Sequence, residues 1–182
     1  IDELDDDGIR VFRRNMQMIF QDPYESLNPR WTIKDIIKEP LDIHNIGALN
    51  DREEAVVEIL RTVGLTPPEN YLSRYPHEIS GGQRQRVSIA RTLIMKPKFV
   101  ICDEPTSMLD VSIRISIMDL MLNLAKDLNV SYLYITHDLA VARYMCNRIA
   151  VMFNGKIVEI ADTEELLNNP IHPYTKRLIS SI

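Results

Sequence analysis

Residues 80 to 110 read SGGQRQRVSIARTLIMKPKFVICDEPTSMLD. Ser80 and two glycines open a run in which Val87, Ile89, Ala90, Leu93 and Ile94 build one apolar helical face. Pro97 closes it. The next residues, Phe99 to Cys102, are continuously apolar, the pattern of a strand covered on both faces of a parallel sheet. The strand ends in two adjacent acids, Asp103 and Glu104. A helix feeding a doubly covered strand demands α/β layering, so the flanking sequence must supply more sheet and more helix.

It does so downstream. A helix is expected from about Val111 to Leu128, a strand over 130–136, and a helix over 138–145, the βαβ alternation of a mostly parallel sheet. IAVMF and KIVEIA then flank Asn154-Gly155, a strong hairpin signal. Asp162 or Thr163 is expected to cap a short helix, and a last helix follows Pro173. Upstream, residues 1–8 are acidic and read as frayed or loop-like, and a strand is expected at about 16–20. DPYESLNPR reads as a loop. From residue 33 to 93 no strand signal appears. Thr32 caps a helix expected to stop near Pro40, and Asn50 or Asp51 caps a second that ends at Gly64. The organisation is therefore three segments: 1–31, an all-helical insertion at 32–96, and 97–182.

Composition excludes some function classes. The formal net charge of -5 argues against a nucleic-acid binder that relies on bulk charge. No apolar run approaches the roughly 18 residues of a membrane span. Cys102 and Cys146 form no spaced framework, and Cys102 reads as a buried thiol in a strand. The chain begins IDELDDDGIR, without an initiator methionine or a targeting segment, and reads as an internal start.

Ligands of parallel sheets sit at the carboxyl ends of strands. Asp103 there can hold Mg²⁺ directly or through water, and Glu104 can orient a water for attack on a phosphate. Successive residues of a strand face opposite sides, so the two acids have different tasks. His137 ends a second strand, where an imidazole can meet a phosphate or the attacking water. Gln21 ends a third and can bond a metal-bound water. Ser80, Gly81, Gly82 and Gln83 turn backbone N–H groups toward an anion at a helix start. Each also has a plain structural reading: a charged strand end, a surface histidine, an N-cap. Arg84, Arg86 and Arg91 read as a solvated or salt-bridged face.

Taken together, the motifs resemble the ATP-binding subunit of an ATP-binding-cassette (ABC) transporter of the oligopeptide/dipeptide (or nickel) importer branch. FQDPYESLNPR is similar to its Q-loop region, with Gln21 in place. YPHEISGGQRQR resembles its signature motif, with Ile79 in place of leucine, and FVICDEP resembles the Walker B strand. Ser107-Met108-Leu109-Asp110 resembles the D-loop, with Met108 in place of alanine, and Thr136-His137-Asp138 resembles the switch-histidine region. The tail NPIHPYTKRLISSI is similar to that branch's C-terminal part.

The resemblance implies a P-loop NTPase core with an inserted helical subdomain. It implies Glu104 and His137 as catalytic residues and Gln21 and Asp103 as the metal-associated pair. Gln21, Ser80, Gly81, Gly82, Gln83, Asp103 and Asp110 would lie along the nucleotide. ATP and Mg²⁺ would be sandwiched between this subunit and a second ATPase subunit, the signature residues reaching the partner's nucleotide. Membrane permeases and, indirectly, an extracytoplasmic solute-binding protein complete the implied assembly, at the cytoplasmic face of the membrane. Nucleic acid is not among the implied partners.

One part of the pattern is missing. None of the six glycines (8, 47, 64, 81, 82, 155) opens a glycine-rich loop ending in Lys and Ser/Thr. The expectation is a partial core that lacks the P-loop strand, opened between the Walker B and switch-histidine strands, and inactive by itself while its parent binds and hydrolyses ATP. A self-associating, non-catalytic fragment and an ATPase of a soluble ABC branch are the alternatives.

Overall fold

A computed structural model describes residues 5 to 180. Its chain divides into two compact units, residues 1–133 and 134–182.

The first unit opens with α1 (Asp6–Asn15), β1 (Met16–Ile19) and α2 (Pro23–Ser26). Asp5 caps α1 by accepting from Gly8 N–H at 2.8 Å, so residues 6–8 are helical rather than loop-like. The expectation for residues 1–4 lies outside the described residues. The segment read as a loop holds the short helix α2. Asp22 caps it by accepting from Tyr24 N–H at 2.7 Å, and Pro23 supplies its first residue, where no N–H is needed.

The helical insertion consists of α3 (Ile33–Ile43), α4 (Leu49–Thr62), α5 (Glu69–Leu72) and a 3₁₀ turn at 76–78, leading to α6 (Gly81–Leu93). Pro40 does not stop α3. The helix runs past it because Ile36, Ile37 and Leu41 are buried, and this packing outweighs the lost hydrogen bond. Ala48, not Asn50 or Asp51, caps α4, while the Asp51 carboxylate accepts the Ala48 N–H at 3.1 Å. Gly64 ends that helix at φ 75, and Leu65 N–H reaches back to the Leu60 carbonyl at 2.9 Å.

α6 is the hub of the unit and packs against α2, α3, α4, α7 and β1. Val87, Ile89, Ala90 and Leu93 are all buried, as the sequence pattern predicts. Its arginines do not form a solvated face. Arg84 is buried, lies 3.9 Å over the Tyr24 ring and donates to the Pro76 carbonyl. Arg86 donates to the Val63 carbonyl at 2.6 Å and to Ser116 at 2.9 Å. Arg91 pairs with Glu39 at 2.7 Å, as the salt-bridged reading expects.

After α6 come β2 (Phe99–Asp103), α7 (Val111–Asp127) and β3 (Ser131–Ile135). β1 and β2 pair in parallel, Met16 opposite Phe99 and Ile19 opposite Cys102. The sheet order is β1-β2-β3, so the gap expected between β2 and β3 is absent. α7 returns the chain to the neighbouring position, the common result for consecutive strands joined by a helix. β3 is instead the edge strand of this sheet, and Leu133 is about half exposed on it. Cys102 is buried, and neither it nor Cys146 is joined in a disulfide.

The second unit contains α8 (Leu139–Met145), the antiparallel hairpin of β4 (Arg148–Phe153) and β5 (Lys156–Asp162), α9 (Thr163–Asn168) and α10 (Pro173–Ser180). Asn154 at φ 49 and Gly155 at φ 74 form the predicted tight turn. Ala142, Ile149, Val151 and Leu166 make its core, with Tyr174, Leu178 and Ile179 packed against them.

Candidate functional site

Glu104 is the first residue beyond β2, and its backbone is left-handed at φ 43. A non-glycine residue held so stores strain on the order of 1–3 kcal/mol and stays there only where its surroundings enforce it. Ser107 holds the Glu104 carbonyl in this conformation. The Ser107 N–H and hydroxyl both donate to the Glu104 carbonyl, at 3.1 and 3.0 Å.

Gln21 joins them from the end of β1. Because β1 and β2 run parallel and in register, their carboxyl ends bring residues 21 and 104 side by side. Gln21 Nε2 donates to Glu104 Oε2 at 3.1 Å and to Ser107 Oγ at 3.4 Å. The Ser107 hydroxyl has one proton, already given to the Glu104 carbonyl, so toward Gln21 it accepts. The amide orientation is thereby fixed, and Oε1 is the Gln21 atom left to face a water or cation.

Asp103, the last residue of β2, shares a cavity of about 420 Å³ with Phe20, Gln21, Asp22, Glu25 and Ser26. Among the described residues no three His, Cys, Asp or Glu side chains converge as a metal cage. Mg²⁺ does not require one. It keeps several waters and uses one or two carboxylates beside substrate phosphates, and Asp103 with the Gln21 carbonyl fits that sparse all-oxygen donor set.

Ser80 caps α6 in a reciprocal box: Gln83 N–H donates to Ser80 Oγ at 3.3 Å, and Ser80 N–H to Gln83 Oε1 at 3.0 Å. The amides of Gly81 and Gly82, first in the helix, have no acceptor within it. A Cβ at Gly82 would stand 2.7 Å from Ile113 Cγ2, so close approach to α7 requires glycine there. At Gly81 the nearest neighbour is Leu109, at 3.8 Å. The helix start thus packs against the segment that follows the acids. Asp110 is exposed at the N-cap of α7, and its carbonyl accepts the Arg114 N–H at 2.8 Å.

His137 belongs to the second unit, exposed two residues past β3. Thr136 Oγ1 accepts the Asp138 N–H at 3.0 Å, and Asp138 caps α8 through the amides of Ala140 and Val141. The first unit therefore unites Gln21, Asp103 and Glu104, while His137 has its own setting. Ser107 is the residue that sequence reasoning passed over as a D-loop position. A hydroxyl three residues after the acid was the available signal.

A parallel α/β sheet with an acid pair, a strained glutamate and a glutamine at its strand ends, beside a serine-glycine helix start, defines an NTPase-type core. The ABC transporter family profile matches residues 1–107, and the oligopeptide/dipeptide transporter C-terminal region matches residues 158–182. The chain belongs to the ABC transporter family. It is 54% identical over 172 residues to the oligopeptide transport ATP-binding protein OppF of Bacillus subtilis (strain 168), covering 94% of this chain and 56% of that protein. It is 51% identical over 170 residues to AppF of the same organism, an oligopeptide transport ATP-binding protein, covering 93% and 51%. The chain thus spans about half the length of the curated relatives it matches. Among solved structures it resembles the ATP-binding cassette MJ0796, a dimer in a post-hydrolysis state bound to ADP and Pi. That match has 31% identity and a TM-score of 0.74 over 89% of this chain and 69% of that one. No described helix is long and apolar enough to cross a membrane.

Proposed function

We propose that these residues are part of an ATP-hydrolysing subunit that drives import of peptides or a related small solute. The observation that carries the reading is the meeting of Gln21 and Glu104 at the parallel strand ends, with Asp103 on the adjoining cavity. The oligopeptide-type C-terminal match supports the peptide class.

Glu104 is the base that takes a proton from the attacking water. Gln21 holds that carboxylate through Nε2, and its Oε1 would be the oxygen available to a cation. Asp103 and Gln21 would hold Mg²⁺, which supplies charge neutralisation at the transferring phosphate when bound. In the complete subunit His137 would contact the terminal phosphate. Ser80, Gly81, Gly82 and Gln83 offer the α6 amides to the nucleotide of a second ATPase subunit, and Asp110 lies along that interface. The segment 32–96 is the helical subdomain between the core segments 1–31 and 97–182. Permeases at the cytoplasmic face of the membrane are the partners that receive the motion, with a solute-binding protein acting outside.

The test is transport itself. The complete subunit that carries these residues is reconstituted with its permeases in vesicles, and uptake of a labelled peptide is followed with MgATP or MgADP. Uptake with MgATP alone is expected; equal uptake with both nucleotides contradicts the reading.

A further inference from the structure

We infer that Ser107 is a positioning residue for hydrolysis, acting on Glu104 and Gln21 at once. The inference rests on the ATPase reading above and adds a residue to it. Three bonds meet at Ser107. Its N–H and its hydroxyl both hold the Glu104 carbonyl, and its oxygen accepts from Gln21 Nε2.

Glu104 is the element that needs holding. Its φ of 43 aims the carboxylate differently from an extended strand residue, and glutamate, unlike glycine or asparagine, rarely adopts that backbone. The two bonds from Ser107 satisfy the carbonyl in that conformation. Without the hydroxyl, one of them is lost and the backbone gains freedom to relax toward the extended region. Gln21 is then left with a single acceptor, the Glu104 carboxylate, so its amide is no longer fixed at two points. Both changes move the base relative to the attacking water, and small displacements of a reacting group are costly in rate.

Ser107 is itself well anchored. Arg114 Nη2 approaches its carbonyl at 3.4 Å, and Leu109 N–H donates to the carbonyl of buried Thr106 at 3.2 Å, closing the turn on both sides. The hydroxyl thus sits on a fixed platform between the Gln21 side chain and the Glu104 carbonyl. Ser107 touches neither water nor phosphate in this role. It acts through Glu104 and Gln21.

The experiment is a steady-state MgATP kinetic cycle on the complete subunit assembled with its permeases: wild type, Ser107→Ala, Ser107→Thr, Gln21→Ala and the double variant S107A/Q21A. Ser107→Ala should lower kcat about five- to tenfold, the worth of one or two hydrogen bonds, with KM for MgATP within about twofold. Ser107→Thr, which keeps the hydroxyl, should recover kcat to within about twofold of wild type. The double variant should be slower than Gln21→Ala by a smaller factor than that by which Ser107→Ala slows the wild type, because the Gln21–Ser107 bond is already gone and only the bond to the Glu104 carbonyl remains to be lost. Multiplying effects in the cycle would overturn the inference, as would a loss carried by KM, or a threonine variant as slow as alanine. A wild-type assembly that turns over no MgATP would instead overturn the ATPase reading on which it rests.

Discussion

Gln21 and Glu104 stand 83 positions apart in the chain and are joined by a 3.1 Å hydrogen bond from Nε2 to Oε2. The amide donates and the carboxylate oxygen accepts. Replacing Gln21 with Glu removes the donor and sets a second carboxylate against the first. Gln21→Glu is therefore expected to lower MgATP turnover of the complete subunit more than Gln21→Ala does. Steady-state rates of the two variants decide it.

The Gly82 position predicts an overpacking penalty. A methyl there would meet Ile113 Cγ2 at 2.7 Å, and forcing α6 and α7 apart costs about 1–3 kcal/mol. Gly82→Ala should lower the urea midpoint of the chain accordingly. Ile113→Ala, combined with it, should be less than additive, since it empties the space that the new methyl needs.

Arg84 ties α6 to α2 and to the turn at 76–78. Its guanidinium covers the Tyr24 ring and donates to the Pro76 carbonyl. Arg84→Ala is expected to destabilise the chain by about 2–3 kcal/mol, since it removes a charged donor from a buried carbonyl. Tyr24→Phe keeps the ring face and should leave stability within about 0.5 kcal/mol of wild type. Equilibrium urea unfolding measures both.

The second unit carries a pH signature. The Thr175 hydroxyl, then the amides of Ile171 and His172, hold the Glu159 carboxyl below its ordinary value of 4.5. The amides make the close contacts, at 2.8 and 2.9 Å, while Thr175 lies beside the carboxylate outside good hydrogen-bond geometry. The folded state thus favours the ionised acid. Its stabilisation is fully present above pH 4.5 and is lost as pH falls through the lower, folded value. Glu159→Gln should lower the thermal midpoint at pH 7, and the gap to wild type should close as pH drops below 4.5 and through the lower, folded value.

The order of helices and strands was legible because apolar spacing switches cleanly between helical and strand periods, as at Val87–Leu93 and Phe99–Cys102. Helix ends were less so. Asp22-Pro23 carries the same residues whether it opens a loop or a helix, and Pro40 became tolerable only once Ile36, Ile37 and Leu41 were buried. Sheet order is not written in local pattern, so the neighbourhood of β2 and β3 came from the structure alone. For the site, strand ends pointed to Gln21, Asp103 and Glu104. The contact of Gln21 with Ser107 spans 86 positions and depends on parallel register, and no local spacing announces it. The left-handed backbone of Glu104 was equally hidden, since that conformation is normally signalled by glycine or asparagine.

The central claim is that Glu104 is the hydrolytic base. Single-turnover hydrolysis of MgATP by the complete subunit, wild type against Glu104→Gln, tests it most directly. The amide keeps the size of the side chain but cannot take the proton. The rate is predicted to fall at least about a hundredfold while nucleotide affinity stays within severalfold. Hydrolysis by Glu104→Gln at the wild-type rate would contradict it.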